Sequence, residues 1–212
     1  MMLSERFAQA LAYAHQLHQS QVRKGTAIPY LSHLLAVSAL VLENGGDEDQ
    51  AIAALLHDSL EDGPRYSPYT RDQITADIAT RFGERVLRIV EGCTDREHQE
   101  TRDWRTRKEH YLQHLEQVDA DVLLVANADK LHNAQAIWRD YQQRGEQLWE
   151  RFSGGKTGTL WYYQRLAELF HRRRPGWLAQ QLQTVVQALV EAALAERTSA
   201  PPVNQPSAGD KR

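Results

Sequence analysis

The stretch Ala51-Ile-Ala-Ala-Leu-Leu-His-Asp-Ser-Leu-Glu-Asp62 decides how the rest of the chain is interpreted. Six apolar residues lead directly into His57 and Asp58, and two more carboxylates follow at Glu61 and Asp62. On a helix, residues three or four positions apart share a face, so the carboxylates crowd together beside the imidazole. Such a cluster at the end of a buried helix indicates a divalent metal, whereas an acidic helix end in solvent is the plainer interpretation.

The helix that contains this stretch is predicted to begin near Asp47 and to end at Gly63-Pro64, because proline interrupts a helix. Nearly every other segment has the apolar spacing of a helix, and no segment is convincing as a strand. The predicted fold class is therefore all-α. The predicted helices cover residues 4–22, 33–42, 47–62, 70–82, 84–92, 101–117, 119–144, 157–172 and 177–196.

Several helix ends carry recognisable signals. Gly25 follows the basic end of the first predicted helix, and Ser32 is a candidate N-cap for the second. Thr70 and Gln73 have the spacing of a capping box, and Gly83 separates two helices.

The predicted organisation is one helical domain, a helix and a tail. Residues 1–174 form the domain, and residues 175–197 form an amphipathic helix that packs on the domain or on another subunit, which makes a homo-oligomer possible. Residues 198–212 are rich in Ser, Pro, Ala and Asn without apolar periodicity, which predicts a disordered tail.

The composition narrows the class of protein. The chain has 212 residues, 25% charged residues and a formal net charge of −3, so there is no basic excess that indicates nucleic-acid binding. A single cysteine is typical of a reducing cytoplasm. The N-terminus does not resemble a signal peptide, and no apolar run has the length of a membrane span, so we expect a cytoplasmic protein.

Two other candidate motifs each lack a residue that their function requires. Residues 154–157 resemble the end of a phosphate-binding P-loop, but Glu150 occupies the position of the required first glycine and no strand precedes it. His110 and His114 have the spacing of a zinc metalloprotease pair, but Tyr111 stands where the catalytic glutamate belongs.

Three polar clusters on three predicted helices combine into a candidate metal site. His33, His57, Asp58 and Asp129 supply two imidazoles and two carboxylates. With no thiolate among the ligands, this set suits Mn²⁺, Fe²⁺ or a similar six-coordinate ion. A metal ion of this kind activates water and polarises a phosphoryl oxygen.

The neighbours of these four residues suit phosphate ester hydrolysis. Glu61 and Asp62 lie one turn beyond the ligands, where a general base belongs. Asn133 lies on the helix face of Asp129, and Lys130 adds a positive charge. The basic pair 23–24 precedes His33, which places cations beside the metal for an anionic substrate.

The motifs that contain these residues resemble a known family, the HD-domain metal-dependent phosphohydrolases. More narrowly, they resemble the hydrolase domain of RelA/SpoT proteins and the small alarmone hydrolases, over about residues 4–172. The matching motifs are Arg23-Lys24-Gly, Pro29-Tyr30-Leu-Ser-His33, Ala54-Leu-Leu-His57-Asp58-x-x-Glu61-Asp62 and Ala128-Asp129-Lys-Leu-His-Asn133.

The resemblance implies an HD-domain helical bundle of about eight to ten helices. It implies an enzyme that removes the 3′-pyrophosphate of guanosine tetra- and pentaphosphate with one Mn²⁺. It implies His33, His57, Asp58 and Asp129 as metal ligands, and Glu61 and Asp62 as the pair that activates water or positions the pyrophosphate. It also implies substrate contacts by Arg23 and Lys24 at the base, by Asn133 and Lys130, and, in a looser alignment, by Arg107, Lys156 and Tyr162.

The chain departs from the family pattern in two places. Leu34 follows His33 where the family has proline, and Gly63-Pro64 with a few additional residues replaces a threonine-bearing turn. Because we expect the loop at 63–69 to border the site, another nucleotide, such as NADPH or a phosphorylated purine, is an alternative substrate. A catalytically silent nucleotide-binding module is a further alternative.

Overall fold

The computed structural model describes residues 2–94 and 103–198, without the side chains of 196–198. These residues form ten α-helices, one 3-10 helix and no strand, which confirms the predicted all-α class. The helices are α1 Glu5–His18, α2 Leu31–Glu43, α3 Glu48–Leu56, α4 Ser59–Tyr66, α5 Arg71–Phe82, α6 Glu84–Cys93, α7 Trp104–Leu115, α8 Ala120–Arg144, the 3-10 helix Gly145–Arg151, α9 Gly155–Arg173 and α10 Trp177–Thr198.

Helices α3 and α8 form the centre of the molecule. All residues from Ala51 to Leu56 are fully buried, and α3 packs against α1, α2, α6 and α8. Helix α8 also contacts α2, α6, α9 and α10, and its apolar run Val122–Ala126 is buried. Burial of one leucine side chain is worth about 1.5–3 kcal/mol, so these runs hold the polar residues that follow them inside the protein.

The prediction of one continuous helix from Asp47 to Asp62 is wrong. Helix α3 ends at Leu56, and α4 begins at Ser59 after a break in which Asp58 has φ −96° and ψ 0°. Nδ1 of the His57 side chain hydrogen-bonds to the Ala54 carbonyl at 2.8 Å. In a continuous helix, a backbone N–H of the next turn would donate to that carbonyl. The break falls at the residues predicted to bind metal.

The prediction of a loop from residue 63 is also wrong, because α4 continues through Pro64 to Tyr66. Proline removes one backbone donor, but α4 ends within one turn after Pro64. The Ser67 backbone N–H and hydroxyl both donate to the Gly63 carbonyl, at 2.9 and 2.7 Å, and close that turn.

Helix α1 is shorter than predicted and ends at His18 instead of residue 22. The following segment is irregular, with an isolated antiparallel bridge between Val22 and Pro29. The Tyr30 N–H donates to the Gln21 carbonyl at 2.9 Å, so the chain turns back on itself. This turn carries residues 23–24 to the mouth of the site.

The signals at Thr70 and Gly83 are confirmed, but Gly25 does not end a helix, because α1 already ends at His18. Asp47 and Gln50 form a capping box at α3, and Thr70 and Gln73 form the predicted one at α5. Ser32 is not an N-cap, because α2 begins one residue before it and its backbone N–H donates to a carbonyl of the preceding turn.

Helices α7 and α9 meet through a tryptophan and two glycines. A Cβ atom at Gly154 would lie 2.6 Å from the ring of Trp104, and one at Gly158 would lie 2.9 Å from it. The indole ring of Trp104 therefore packs directly on the glycines at the start of α9, which gives residues 154–158 a packing role.

Helix α10 packs against α8 and α9. No helix in the described ranges has the length and apolar content that a membrane span requires. Apart from Thr94 and Thr198, the predicted connection at 94–100 and tail at 198–212 lie outside the described residues, as do residues 101–102 of the predicted helix 101–117.

Candidate active site

Four of the predicted site residues converge from three parts of the fold. His33 of α2, together with His57 and Asp58 at the break between α3 and α4, offers ligand atoms that all lie within 4.8 Å of one another. Asp129 of α8 places Oδ1 at 3.2 Å from Nε2 of His33 and at 3.7 Å from Nε2 of His57. These atoms surround one point below the protein surface.

Both imidazoles direct Nε2 at that point. His57 uses Nδ1 for the Ala54 carbonyl, so Nδ1 carries the proton and Nε2 presents a lone pair when the ring is neutral. His33 uses Nδ1 toward Nδ1 of His132 at 2.8 Å. One of these two nitrogens must donate, and donation by His33 leaves its Nε2 free of a proton.

The residues fit a divalent metal ion. The Nε2 atoms of His33 and His57 are buried and make no hydrogen bond, although carboxylate oxygens lie 3.0–3.8 Å away. A buried nitrogen without a hydrogen-bond partner costs about 1–3 kcal/mol. Two such nitrogens facing two carboxylates form the N/O donor set of a hard-to-borderline cation.

The charges in the cluster favour a cation at the same point. Burial opposes ionisation of Asp58, but the imidazole of His57 holds the pKa of Asp58 below its usual range. Burial also opposes ionisation of Asp129, but Lys130 and the two imidazoles hold its pKa well below normal. Burial lowers the pKa of His57, yet Asp58 and Asp129 raise it well above normal, which shows how strongly the cluster attracts positive charge.

Asp129 is the start of a hydrogen-bonded chain that leads to the surface. Lys130 Nζ donates to its Oδ2 at 2.6 Å, and Asn133 Nδ2 donates to its Oδ1 at 2.5 Å. The Oδ1 of Asn133 in turn accepts from Arg23 Nη2 at 2.8 Å. Asn133 thus connects Asp129 with the basic residues at the mouth of the site.

The predicted pair Glu61 and Asp62 is divided between two environments. Glu61 lines the cavity beside the ligand cluster. Asp62 lies one helical turn after Asp58 and accepts from Gln21 Nε2 at 2.7 Å. Burial, followed by the charge of Asp58, raises the pKa of Asp62. A raised pKa makes this carboxylate a stronger proton acceptor than an exposed aspartate.

Two cavities open beside the cluster and share Tyr30 and Asn133. The smaller one has a volume of about 120 Å³ and is strongly polar. Its walls include Lys108 and Lys130, each of which lies within 5.3 Å of the centre of a tyrosine ring. Its full lining is Tyr30, Asp58, Glu61, Cys93, Lys108, Tyr111, Asp129, Lys130, Asn133 and Tyr162.

The larger cavity has a volume of about 580 Å³, which is typical of small-molecule sites. It combines four cationic side chains with apolar and aromatic surface. The cations are Arg23, Lys24, Arg139 and Arg151, and the apolar and aromatic residues include Ile28, Ile137, Phe152 and Tyr163. The predicted residues Arg23, Lys24 and Asn133 all line it.

Two predicted substrate residues lie away from both cavities. Lys156 pairs with Glu146 and donates to the Ala193 carbonyl, so it joins α9 to α10. Arg107 is part-buried on α7 but lines neither cavity; the next residue, Lys108, lines the smaller one together with the predicted Tyr162. The basic region of α7 was predicted, but the side chain that faces the site is Lys108.

Several residues that support the site were not among the predicted site residues. Tyr30 donates to Asp58 Oδ2, and His132 contacts His33. His132 is three positions after Asp129, a spacing that places both on one helix face. Lys108 lies four positions after Trp104 on the inward face of α7, and this periodicity identifies it better than Arg107.

Comparison with known proteins adds three similarities. The family model described as HD domain matches residues 10–160. A guanosine-3′,5′-bis(diphosphate) 3′-pyrophosphohydrolase from Aquifex aeolicus is 34% identical over 135 residues, which are 64% of this chain and 18% of that protein. A protein of the same name from Xenopus tropicalis is 33% identical over 134 residues, 62% of this chain and 69% of that protein.

The solved structures extend the similarity of fold. A metazoan ortholog of SpoT, described as hydrolysing ppGpp, has a TM-score of 0.69 and 23% identity and covers 89% of this chain and 98% of its own. A Listeria monocytogenes protein has a TM-score of 0.63 and 24% identity and covers 75% of this chain.

Proposed function

The chain belongs to the HD-domain family, and on that premise we propose that it is a metal-dependent phosphohydrolase that removes the 3′-pyrophosphate of guanosine tetra- and pentaphosphate. The observation that carries the proposal is the position of the ligand cluster. His33, His57, Asp58 and Asp129 lie beside a small polar cavity that contains two lysines and shares Tyr30 and Asn133 with a cavity of nucleotide size. The names of the Aquifex and Xenopus relatives supply the substrate.

The four clustered residues are proposed to hold the metal, and Mn²⁺ is the ion we expect from their imidazole and carboxylate donors. A divalent ion held there supplies Lewis acidity to a phosphoryl group and to water. Tyr30 and Lys130 fix one carboxylate each, and His132 fixes one imidazole, so the donor set is held in place before any ligand binds.

The two cavities suit the two ends of the substrate. The 3′-pyrophosphate is expected in the smaller cavity, where Lys108 and Lys130 offset its charge. The nucleoside and the 5′-phosphates are expected in the larger cavity, where arginines lie beside aromatic and aliphatic surface. Arg23, with its guanidinium 5.8 Å from the ring centre of Tyr30, stands where the two cavities meet.

Glu61 and Asp62 are proposed to serve the attacking water. Its oxygen bonds to the phosphorus attached to the 3′-oxygen, that phosphorus–oxygen bond breaks, and pyrophosphate leaves. The raised pKa of Asp62 favours it as the proton acceptor, and the proton finally reaches the departing 3′-oxygen. Glu61, which lines the smaller cavity, orients the water or the pyrophosphate.

The structure gives less support to a different nucleotide. That alternative depended on an altered loop at 63–69 beside the site. Residues 63–66 are instead part of α4, and none of residues 63–69 lines either cavity.

The test is release of pyrophosphate from guanosine 3′,5′-bis(diphosphate) by the purified protein, with and without Mn²⁺. We expect metal-dependent release with GDP as the second product, and no release from GDP itself. His57→Ala should lose bound metal and turnover together, whereas Glu61→Gln should keep metal and lose turnover. A protein that binds Mn²⁺ but leaves this substrate intact would overturn the proposal.

A further inference from the structure

A buried chain of two side chains, Gln21 and His18, leads from Asp62 to the end of α1. Gln21 Nε2 donates to Asp62 Oδ2 at 2.7 Å, and Gln21 Oε1 lies 2.6 Å from His18 Nδ1. Both supporting residues are buried, with 2% of His18 and 6% of Gln21 exposed. Neither is used by the mechanism proposed above.

The orientation of the chain follows from hydrogen-bonding chemistry. An ionised Asp62 only accepts hydrogen bonds, so the Gln21 amide must turn its NH₂ group toward it. The amide oxygen then faces His18, so Nδ1 of His18 must carry the proton. Consistent with this tautomer, Nε2 of His18 is buried and has no hydrogen-bond partner.

The same segment holds both ends of the site. His18 stacks on Tyr30 with 5.5 Å between the ring centres, and Tyr30 donates to Asp58 Oδ2. The backbone N–H of Gln21 donates to the His18 carbonyl, and the Gln21 carbonyl accepts from Tyr30. The turn between α1 and α2 thus supplies a hydrogen-bond donor to Asp58 and another to Asp62.

We propose that Gln21 is a positioning residue for Asp62 and that His18 holds the Gln21 amide in its donating orientation. The proposal rests on the proposed function, in which Asp62 accepts the proton of the attacking water. With Oδ2 engaged by Gln21, the carboxylate has one rotational position and Oδ1 is left for that proton. Without His18, the amide can turn its oxygen toward Asp62, and the two acceptors repel each other.

The matched variants separate hydrogen bonding from packing. Gln21→Met keeps the length of the side chain and removes both hydrogen bonds. His18→Phe keeps the ring that stacks on Tyr30 but removes the donor. His18→Asn removes the ring but keeps a donor, Nδ2, at the place of Nδ1.

Kinetics of the Mn²⁺-loaded protein test the proposal. We expect Gln21→Met and His18→Phe to lower kcat roughly tenfold or more with KM nearly unchanged, because Asp62 acts after substrate binding. His18→Asn should recover most of the turnover despite its lost volume. A purely structural role for His18 gives the reverse order, with the phenylalanine variant the more active, and that order would overturn the proposal.

A nuclear magnetic resonance measurement decides the orientation independently of activity. In ¹⁵N-labelled full chain, we expect His18 to be the neutral tautomer with the proton on Nδ1. A proton on Nε2 instead would contradict the chain of hydrogen bonds, whatever the substrate. If the wild type shows the expected tautomer but does not cleave guanosine 3′,5′-bis(diphosphate), the proposed function fails, and catalytic positioning for that reaction fails with it. Only the hydrogen-bonded arrangement of His18, Gln21 and Asp62 would then be supported.

Discussion

His132 supports the candidate metal site although it was not among the predicted ligands. Its ring nitrogen Nδ1 lies 2.8 Å from Nδ1 of His33. Burial, followed by the charge of His33, lowers the pKa of His132 to about 4. A neutral His132 accepts the His33 proton at Nδ1 and so leaves the lone pair of His33 Nε2 available to a metal ion.

We therefore expect His132→Phe to weaken Mn²⁺ binding roughly 10- to 100-fold, because the acceptor for the His33 proton is lost. Isothermal titration of metal-free protein measures the change. His132→Asn is the control, since its side-chain oxygen can accept the same proton, and it should bind metal more tightly than the phenylalanine variant. Equal affinities for the wild type and His132→Phe would show that His132 does not orient the ligand.

Site residues that stand within a recognisable motif are easier to predict from the sequence than residues that support the site from elsewhere. His33, His57, Asp58 and Asp129 were placed together because each stands at the end of an apolar run or in a short polar motif. Lys108 and His132 required knowledge of which helix face points inward. That face depends on packing between helices that are distant in sequence, as Trp104 on the glycines of α9 illustrates.

The contact between α7 and α9 gives a prediction for a pair of elements. A Cβ at position 158 would lie 2.9 Å from the Trp104 ring, so Gly158→Ala should push α7 outward and cost about 1–3 kcal/mol in unfolding free energy. Because α7 carries Lys108 and Tyr111 into the smaller cavity, kcat/KM should fall roughly tenfold. Urea unfolding and steady-state kinetics measure the two effects.

Thr157→Ala provides the control for that substitution, since Thr157 is the adjacent residue on α9 and is exposed. It should leave both stability and activity nearly unchanged. A Gly158→Ala variant that lost stability but kept wild-type kcat/KM would separate this packing contact from the site.

The first turn of α8 is joined to α3 and α6 by Asp121. Its carboxylate accepts from Arg85 at 3.1 Å, from Arg88 at 2.7 Å and from Gln50 at 2.9 Å. The hydrogen bonds from Arg85 are the largest cause of a lowered Asp121 pKa. A lowered pKa in the folded state stabilises the protein above the unfolded pKa, and this stabilisation is lost as pH falls through the folded pKa.

Asp121→Asn should accordingly destabilise the protein by about 1–2 kcal/mol at pH 7. The difference should shrink as pH falls below about 4, the unfolded pKa of aspartate. Chemical denaturation at several pH values tests this. Glu168→Gln removes an exposed ion pair with Arg165 and should change stability by less than about 0.5 kcal/mol. A pH-independent loss in Asp121→Asn would contradict the electrostatic explanation.

At the level of elements, helix existence was easier to predict than helix ends. Capping boxes are local: the one at Thr70 was predicted, and the one at Asp47 forms where the start of a helix was predicted. The break between α3 and α4 brings Asp58 to Tyr30 and His57 to Asp129, residues from other parts of the chain that local sequence does not reveal. Pro64 within α4 is accommodated because its helix closes at Ser67.

At the scale of the molecule, we propose that α10 unfolds together with the rest of the domain. Leu182 of α10 is fully buried, so Leu182→Ala should cost about 2–5 kcal/mol in one cooperative transition. Leu194, on the same helix, is 51% exposed, and its alanine variant should lie within about 0.5 kcal/mol of the wild type. Independent unfolding of α10 would instead give a separate transition.

Metal binding connects the site with the stability of the whole molecule. His33, His57 and Asp129 come from parts of the chain that are distant in sequence, so an ion bound among them binds the folded chain far better than the unfolded one. At a Mn²⁺ concentration about 100 times the dissociation constant, the stabilisation is about 2.7 kcal/mol. For a chain of this size that corresponds to a rise in Tm of roughly 5–10 °C over chelator-treated protein.

Thermal unfolding with and without Mn²⁺ measures this rise, and the variants assign it to residues. His57→Ala should abolish the rise, because a ligand is lost. Glu61→Gln should retain it, because Glu61 lines the cavity next to the cluster and is not expected to coordinate the ion. A Glu61→Gln variant that no longer responded to Mn²⁺ would instead make Glu61 a ligand, and the assignment of the water-activating pair would change with it.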